Sequence, residues 1–157
     1  MGLRKGDDKA RRVALMRIVF VCLGNICRSP AAEGVMRGLA PELELDSAGT
    51  AGWHAGDAPY GPMQDAASAR DIDLRNLRAR QFVAADFDRF DLIVAMDAQN
   101  QSDIEMLRPK GNVTPVRMLA DTDVPDPYYT RDFDGALDMI ESAARRLLAD
   151  ISGPPNR

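Results

Sequence analysis

The sequence predicts an α/β fold with an open, four-stranded parallel sheet, helices on both faces and a flavodoxin-like topology. Four short predicted strands alternate with helical segments, which is the pattern of parallel sheets built from strand–helix–strand units. The first of these strands, residues 17–22, is apolar after its first residue and rich in β-branched side chains, as is usual in strands buried on both faces. A chain of 157 residues is long enough for one such domain.

The individual elements follow in chain order. Strands are predicted at residues 17–22, 43–47, 90–95 and 113–116, and helices at 29–39, 62–70, 99–107 and 133–151. Ser29 is expected to cap the first helix, with Pro30 at its first position. In the last helix, apolar residues recur at spacings of three and four and form one stripe. A long acidic loop, residues 119–132, precedes that helix.

Composition and charge exclude several classes of protein. There are 24 acidic and 20 basic residues, and the net charge of -4 argues against a nucleic-acid coat. Two cysteines and one histidine are too few for a disulfide framework or, without carboxylates, for a zinc site. No stretch reaches the roughly 18 apolar residues that a membrane span requires. We therefore expect a domain of a reducing compartment and predict a cytoplasmic location.

The domain is expected to occupy residues 16–153. Residues 1–15 are rich in Lys and Arg and are predicted to form a flexible basic extension, and residues 154–157 a short tail. The start resembles a signal peptide only superficially, because Arg17 interrupts the apolar run that follows it.

The loop after the first strand carries the strongest chemical signal. Residues 22–30 have the sequence CLGNICRSP and join a buried strand to a helix. The backbone N–H groups and the helix N-terminus can surround a tetrahedral anion, and Gly24 and Asn25 permit the tight turn. Arg28 can hold two phosphate oxygens at once. Cys22 lies beneath that anion, where the positive field favours the thiolate, a nucleophile aimed at phosphorus.

Two simpler interpretations of this loop stay open. A cysteine at the end of a buried strand is often just a small core residue. The spacing Cys-x5-Arg alone occurs by chance in many sequences. The conjunction of the glycine, the asparagine, Ser29 and Pro30 with this structural setting favours the catalytic interpretation.

Phosphoryl transfer to sulfur also requires an acid that protonates the leaving oxygen. Asp126 is the best candidate because prolines on both sides stiffen its loop. A phosphate dianion beside it would favour the protonated form. However, Asp-Pro is also ordinary turn chemistry, and Asp121, Asp123 and Asp132 lie in the same loop.

Three aromatic residues in predicted loops, Trp53, Tyr128 and Tyr129, point to the kind of substrate. Loop aromatics can form a slot for a flat ring, and a phenol is easier to expel than an alkoxide. Both points favour an aryl phosphate. For Trp53, a position in the core beneath the turn at 49–56 is an equally good interpretation.

Four segments together resemble the low-molecular-weight protein tyrosine phosphatases, over about residues 16–152. The segments are VCLGNICRSP (21–30), DSAGT (46–50) followed by Trp53 and His54, AMD (95–97) with Asn100, and DPYY (126–129). The resemblance implies an enzyme that removes phosphate from phosphotyrosine in proteins, a tyrosine kinase among them. It also implies that no metal or other cofactor takes part.

The resemblance implies a role for each site residue. Cys22 would be the nucleophile that forms a phosphocysteine, Arg28 would bind the phosphate, and Asp126 would act first as acid and then as base. Ser29 would hydrogen-bond the sulfur, and Asn25 would hold the shape of the loop with help from Ser47. The other substrate-binding residues would be Leu23, Gly24, Ile26, Cys27, Trp53, Tyr128 and Tyr129.

Cys27 has two interpretations. The resemblance favours a reversible disulfide with Cys22 that protects the nucleophile from over-oxidation. The alternative is a small buried residue that points away from the ligand. His54, the single histidine, is interpreted as a structural residue of its loop.

The sequence departs from the family pattern in two places. Leu77 stands where members often carry a histidine bonded to the loop asparagine, so another group must support Asn25. Residues 59–62, PYGP, replace the frequent PDxR, which affects the local surface and the choice of substrate.

Three other functions compete with the tyrosine phosphatase hypothesis. Thiol-dependent arsenate reductases share the loop but use downstream cysteines, and no cysteine follows Cys27. Protein arginine phosphatases tend to carry Thr at the position of Ile26, whose apolar side chain suits a phenyl ring better than a guanidinium. A phosphate-binding module without activity would need no nucleophile.

Overall fold

A computed structural model describes residues 16–152. The strands form one parallel sheet in the order β2-β1-β3-β4. They are β1 Arg17–Cys22, β2 Glu44–Gly49, β3 Leu92–Ala95 and β4 Val116–Met118. The predicted open, parallel α/β fold is confirmed. The extension predicted at residues 1–15 and the tail predicted at 154–157 lie outside the described residues.

Helices connect the strands and follow the last one. They are α1 Arg28–Leu39, α2 Gly61–Ser68, α3 Asp86–Arg89, α4 Ala98–Glu105, α5 Pro127–Thr130 and α6 Phe133–Ile151. The sequence predicted neither α3 nor α5, because a four-residue helix is too short to show a periodic pattern. Across residues 16–152, the structure contains no helix with the length and apolarity needed to cross a membrane.

Strand β1 is buried on both faces, and its side chains alternate between two apolar clusters. Phe20 points into the larger cluster, which α1 and α6 cover. Val19 and Val21 point into the other, together with Phe82 and Phe87. Full burial of one such side chain contributes roughly 1.5–3 kcal/mol. Packing from both sides therefore fixes β1 and the start of the loop that follows it.

The ends of three strands differ from the prediction. β3 begins at Leu92 and not at residue 90, because its pairing with β1 begins there. β2 runs on to Gly49 because the backbone of Ala48 and Gly49 still pairs with β1. The fourth strand lies at Val116–Met118 and not at 113–116. Val113 is 89% exposed, and residue pairing with β3 begins at Val116. Pro115 has no N–H to donate, although its carbonyl accepts the N–H of Ile93 at 3.0 Å.

The carboxyl ends of the parallel strands meet at one edge of the sheet, where ligands of such folds bind. β1 ends there at Cys22, and α1 begins at Arg28. The loop after β2 reaches the same edge, since Thr50 donates its N–H to the carbonyl of Cys22 at 2.9 Å. The loop after β4 does so too, through the N–H of Val124 and the carbonyl of Met96 at 3.0 Å.

Candidate active site

Two features determine the shape of the loop between β1 and α1, residues 23–27. They are the backbone conformation of Asn25 and the close approach of Gly49 to the loop. Asn25 has a φ of 58°, the left-handed conformation that asparagine tolerates well. Gly49, in the segment DSAGT, is equally necessary. A Cβ at Gly49 would lie 2.7 Å from the carbonyl oxygen of Leu23, so any side chain would push the loop away.

Cys22 lies at the bottom of this loop, with only 3% of its surface exposed. Its Sγ accepts the backbone N–H of Asn25 at 3.3 Å and lies 3.0 Å from Ser29 Oγ. The Ser29 oxygen accepts from Asn25 Nδ2 at 2.7 Å, which leaves the hydroxyl proton available to the sulfur. The carbonyl of Ala48, at 3.4 Å, is the weaker alternative acceptor. Hydrogen bonds donated to a sulfur favour the thiolate over the thiol.

Two predictions about serines are corrected. Ser29 is not the cap of α1: the N-cap residue is Cys27, and no side chain bonds to the amides of the first turn. Those amides are donors that an anion can use, while the Ser29 hydroxyl turns to the sulfur. Ser47 does not support Asn25, because its hydroxyl donates to Glu33 Oε1 at 2.8 Å.

A backbone amide supports Asn25 in place of the histidine that is absent at Leu77. Asn25 Oδ1 accepts the N–H of Arg80 at 3.0 Å. The side chain of Arg80 is itself fixed by two carboxylates, Asp46 at 3.0 Å and the fully buried Asp86 at 3.0 and 3.1 Å. The loop asparagine is therefore tied to a segment that is held by ion pairs.

Arg28 is almost completely buried and is surrounded by oxygen atoms. Its Nη1 donates to Asp97 Oδ2 at 2.6 Å and to the carbonyl of Val124 at 2.9 Å, and its Nη2 lies 3.5 Å from Asp126 Oδ2. Burial opposes the charge of the guanidinium, but Cys22, Asp97 and Asp126 outweigh it and raise the pKa of Arg28. The Nε atom is buried without a partner. An anion that reached Nε would satisfy this unpaired donor.

Asp97 belongs to the site, although its role was not predicted from the sequence. One carboxylate oxygen holds Arg28, and the other accepts the N–H of Asn100 at 2.7 Å and so caps α4. The helix start thus fixes the carboxylate that orients the guanidinium. The available signal was the segment AMD with Asn100, since Asp at a strand–helix junction is a typical N-cap.

Of the four acids considered in the loop before α6, only Asp126 faces Arg28. Asp121 pairs with an arginine of α6, Asp123 accepts the first N–H of α4, and Asp132 caps α6. Asp126 is the N-cap of α5: its Oδ1 accepts an N–H of the first turn at 3.1 Å. Its Oδ2 is left to face Arg28.

A pocket of about 190 Å³ opens over the loop and brings most of the predicted site residues together. Trp53 is 74% and Tyr129 70% exposed, so both stand at its rim, and the alternative of a core position for Trp53 is wrong. His54, which was predicted to be only structural, joins the lining and pairs with Asp57 at 3.2 Å. Arg28, Asn25 and Ser29 are not among the lining residues, which are Cys22, Leu23, Gly24, Ile26, Cys27, Trp53, His54, Asp126, Tyr128 and Tyr129.

A larger cavity, of about 380 Å³, lies between α2 and the segment 71–75. Its lining contains neither a cysteine nor the start of a helix with free amides. The smaller pocket is therefore the candidate site, because chemistry and not volume decides between them.

Cys27 is buried and is one of the residues that line the pocket. Burial, followed by the charges of Asp126 and Cys22, raises the pKa of Cys27 to about 12. The residue is therefore a neutral thiol near neutral pH. Both cysteines are free in the structure.

A parallel α/β sheet with a buried cysteine beneath a loop of free amides is typical of enzymes that act on phosphate groups. Comparison with known proteins identifies the family. Residues 17–154 match the family described as low molecular weight phosphotyrosine protein phosphatase, and the chain belongs to this family. The resemblance inferred from the four sequence segments is confirmed.

Individual relatives support the same assignment. The low molecular weight protein-tyrosine-phosphatase YfkJ of Bacillus subtilis is 38% identical over 150 residues, which cover 87% of this chain and 96% of that protein. Its crystal structure matches with a TM-score of 0.81 over 87% of this chain and 94% of that chain. The low molecular weight protein-tyrosine-phosphatase of Streptomyces coelicolor is 42% identical over 153 residues, 86% of this chain and 93% of that protein.

One structural relative has a different name. The crystal structure of a Drosophila arginine phosphatase is 29% identical in sequence, with a TM-score of 0.81 over 86% of this chain and 97% of that chain. The fold is therefore shared between proteins named for two different phosphorylated residues.

Proposed function

We propose that this protein hydrolyses phosphotyrosine in proteins by moving the phosphoryl group first to Cys22 and then to water. In the first step the thiolate attacks phosphorus, the P–O bond to tyrosine breaks, and Asp126 donates its proton to the phenolate. In the second step Asp126 takes a proton from water as the water oxygen bonds to phosphorus and the S–P bond breaks. The products are tyrosine, inorganic phosphate and the thiolate.

The observation that carries this proposal is a convergence of three groups from distant parts of the chain. Cys22 Sγ lies at the bottom of the pocket, Asp126 lines it, and Arg28 lies 3.5 Å from Asp126. A nucleophile, a phosphate-binding cation and an acid are the groups that transfer of a phosphoryl group to sulfur requires.

Arg28 would hold phosphate oxygens through Nε and Nη2 while Nη1 stays bound to Asp97. Donors that are already in place stabilise the charge of a transition state without reorganising during the reaction. The loop amides add to this charge stabilisation. Because the guanidinium and the amides neutralise the charge of the phosphate, the mechanism needs no metal ion for that purpose.

Ser29 and Asn25 would assist the second step. When the S–P bond breaks, the sulfur of Cys22 leaves as a thiolate, which the N–H of Asn25 and the hydroxyl of Ser29 can hydrogen-bond. Both bonds stabilise a thiolate more than a phosphorylated sulfur, so they make Cys22 a better leaving group.

Two features favour phosphotyrosine as the substrate. Cys22 is buried at the bottom of the pocket, so a phosphate must arrive on a side chain long enough to reach it. The walls are aromatic, with Trp53, Tyr128 and Tyr129, and the apolar Ile26 lies among them. A phenyl ring can pack against such walls at offset or edge-on angles.

Phosphoarginine is the alternative substrate, because one relative of this fold is named an arginine phosphatase. The competing reaction is arsenate reduction, for which the chain has no cysteine beyond Cys27. Initial rates with a phosphotyrosine peptide, a phosphoarginine peptide and arsenate plus a thiol separate the three functions. We expect kcat/KM for phosphotyrosine to exceed that for phosphoarginine by at least about tenfold, the discrimination that a modest pocket mismatch provides.

The same assay can also contradict the proposed function. A higher kcat/KM for phosphoarginine would change the substrate class, and reduction of arsenate would change the reaction. Activity with phosphotyrosine should be the same with and without EDTA, and its loss with EDTA would contradict the metal-independent mechanism.

We also propose the setting in which the enzyme works. The catalytic unit would be residues 16–153, and its partners would be tyrosine-phosphorylated proteins, with a tyrosine kinase as one candidate. The cytoplasm suits this chemistry, because thiols stay reduced there and a disulfide at Cys22 would remove the nucleophile.

A further inference from the structure

Tyr60 stands immediately before α2, in the segment where the sequence departs from the family pattern. Its backbone is fixed at both groups: the N–H donates to the carbonyl of Ile26 at 2.8 Å, and the carbonyl accepts the N–H of Gln64 at 3.0 Å. Ile26 belongs to the loop over Cys22. The position of Tyr60 is therefore tied to the phosphate-binding loop.

The side chain of Tyr60 contacts the segment that carries Asp126. Its ring centroid lies 5.2 Å from that of Tyr128 and 6.1 Å from that of Phe133. The guanidinium of Arg131 lies over the Tyr60 ring, 5.3 Å from its centroid, and Arg131 Nη1 donates to Tyr60 Oη at 3.1 Å. The Tyr60 side chain thus contacts α5 through Tyr128, the C-cap residue Arg131, and the first residue of α6, Phe133.

Arg131 has an unfavourable backbone conformation that these contacts compensate. It ends α5 with a φ of 64°, in the left-handed region that residues other than glycine seldom adopt. Its guanidinium packs over the rings of Tyr60 and Phe133 and donates to Tyr60 Oη and to the carbonyl of Tyr128. Strained residues persist where the surroundings determine their conformation in this way.

The orientation of α5 determines where the carboxyl of Asp126 lies. The helix has four residues, with Asp126 as its N-cap and Arg131 as its C-cap, and a helix of this length is not stable without tertiary contacts. We propose that Tyr60, acting with Arg131, is a positioning residue that holds α5 so that Asp126 faces the phosphate-binding loop. This inference rests on the proposed function, in which Asp126 is the general acid.

Substrates with different leaving groups test this role. A misplaced acid slows the expulsion of a basic phenolate, whereas a strongly acidic phenol leaves without a proton. For Tyr60→Leu, we expect kcat/KM to fall about tenfold with phenyl phosphate, a part of the 10²–10⁴ that a general acid supplies. With 2,4-dinitrophenyl phosphate the fall should be less than about threefold by the same reasoning. Tyr60→Phe, which loses only the hydroxyl, should change the ratio of the two rates in the same direction by a smaller factor.

Two controls separate positioning from general destabilisation. Phe90→Leu removes a partly buried ring next to β3 at the opposite edge of the sheet, and should leave the ratio of the two rates unchanged. In an Asp126→Asn background, Tyr60→Leu should not change that ratio further, because the acid is already absent. Thermal unfolding of each variant shows whether it is folded at the assay temperature.

The outcomes distinguish this inference from the proposed function. Equal losses with both substrates in Tyr60→Leu, or an unchanged ratio in both Tyr60 variants, would overturn the positioning role while the phosphatase function stands. A wild-type protein that hydrolyses neither aryl phosphate would overturn the proposed function, and this inference with it.

Discussion

Cys22→Ser is expected to abolish the hydrolysis of aryl phosphates. A serine hydroxyl is not ionised near neutral pH, whereas the sulfur of Cys22 accepts the N–H of Asn25 and lies 3.0 Å from Ser29 Oγ, contacts that favour a thiolate. Turnover of p-nitrophenyl phosphate should fall roughly 10⁴–10⁶-fold, the scale of a deleted nucleophile. Calorimetry should still detect binding of inorganic phosphate, because Arg28 and the loop amides are intact.

Cys27→Ser is the matched control, since it makes the same chemical change within the same loop. Burial raises the pKa of Cys27 to about 12, so this residue supplies no thiolate near neutral pH. The variant should therefore keep a measurable turnover. If Cys22→Ser were active and Cys27→Ser inactive, the nucleophile would be Cys27 and not Cys22.

Asp126→Ala is expected to lower kcat/KM for phenyl phosphate by about 10²–10⁴-fold, the usual contribution of general acid–base catalysis. The carboxyl lines the pocket and faces Arg28, and both proposed steps move a proton through it. Asp126→Asn should lose a similar factor without unfolding α5, because an amide oxygen can still accept the N–H of Tyr128. Steady-state rates and thermal unfolding of both variants measure the two effects separately.

Asp121→Ala is the control for this prediction. Asp121 lies in the same acidic loop, is highly exposed and pairs with Arg146 on α6. Its removal should leave kcat/KM close to that of the wild type, because exposed ion pairs contribute little. A wild-type rate in Asp126→Ala, or an equal loss in Asp121→Ala, would show that the acid lies elsewhere.

The part of the site that is continuous in sequence could be predicted from the sequence. Cys22 and Arg28 flank one loop between a strand and a helix, and that order of elements already places the proposed nucleophile and a cation at a helix start. Asp126 could be proposed but not chosen with certainty among the loop acids. The structure distinguishes them, because each of the other three has a partner away from Arg28.

The supporting contacts could not be predicted, because they join residues that are far apart in the chain. Asp97 lies 69 positions from Arg28, and Arg80 lies 55 positions from Asn25. Each bond depends on how loops after different strands meet at one edge of the sheet, which hydrophobic periodicity does not reveal. Ser29 was mispredicted for a similar reason. A serine at a helix start usually caps the helix, but here its hydroxyl lies within hydrogen-bonding distance of the Cys22 sulfur.

The covalent intermediate is the most direct test of the central claim. The enzyme is mixed with p-nitrophenyl phosphate, quenched within one turnover by a denaturant, and digested for mapping of the phosphorylated peptide by mass spectrometry. We expect one phosphoryl group on Cys22, and none when that residue is serine. A phosphoryl group on another residue, or release of nitrophenol with no phosphorylated enzyme at any time, would contradict it.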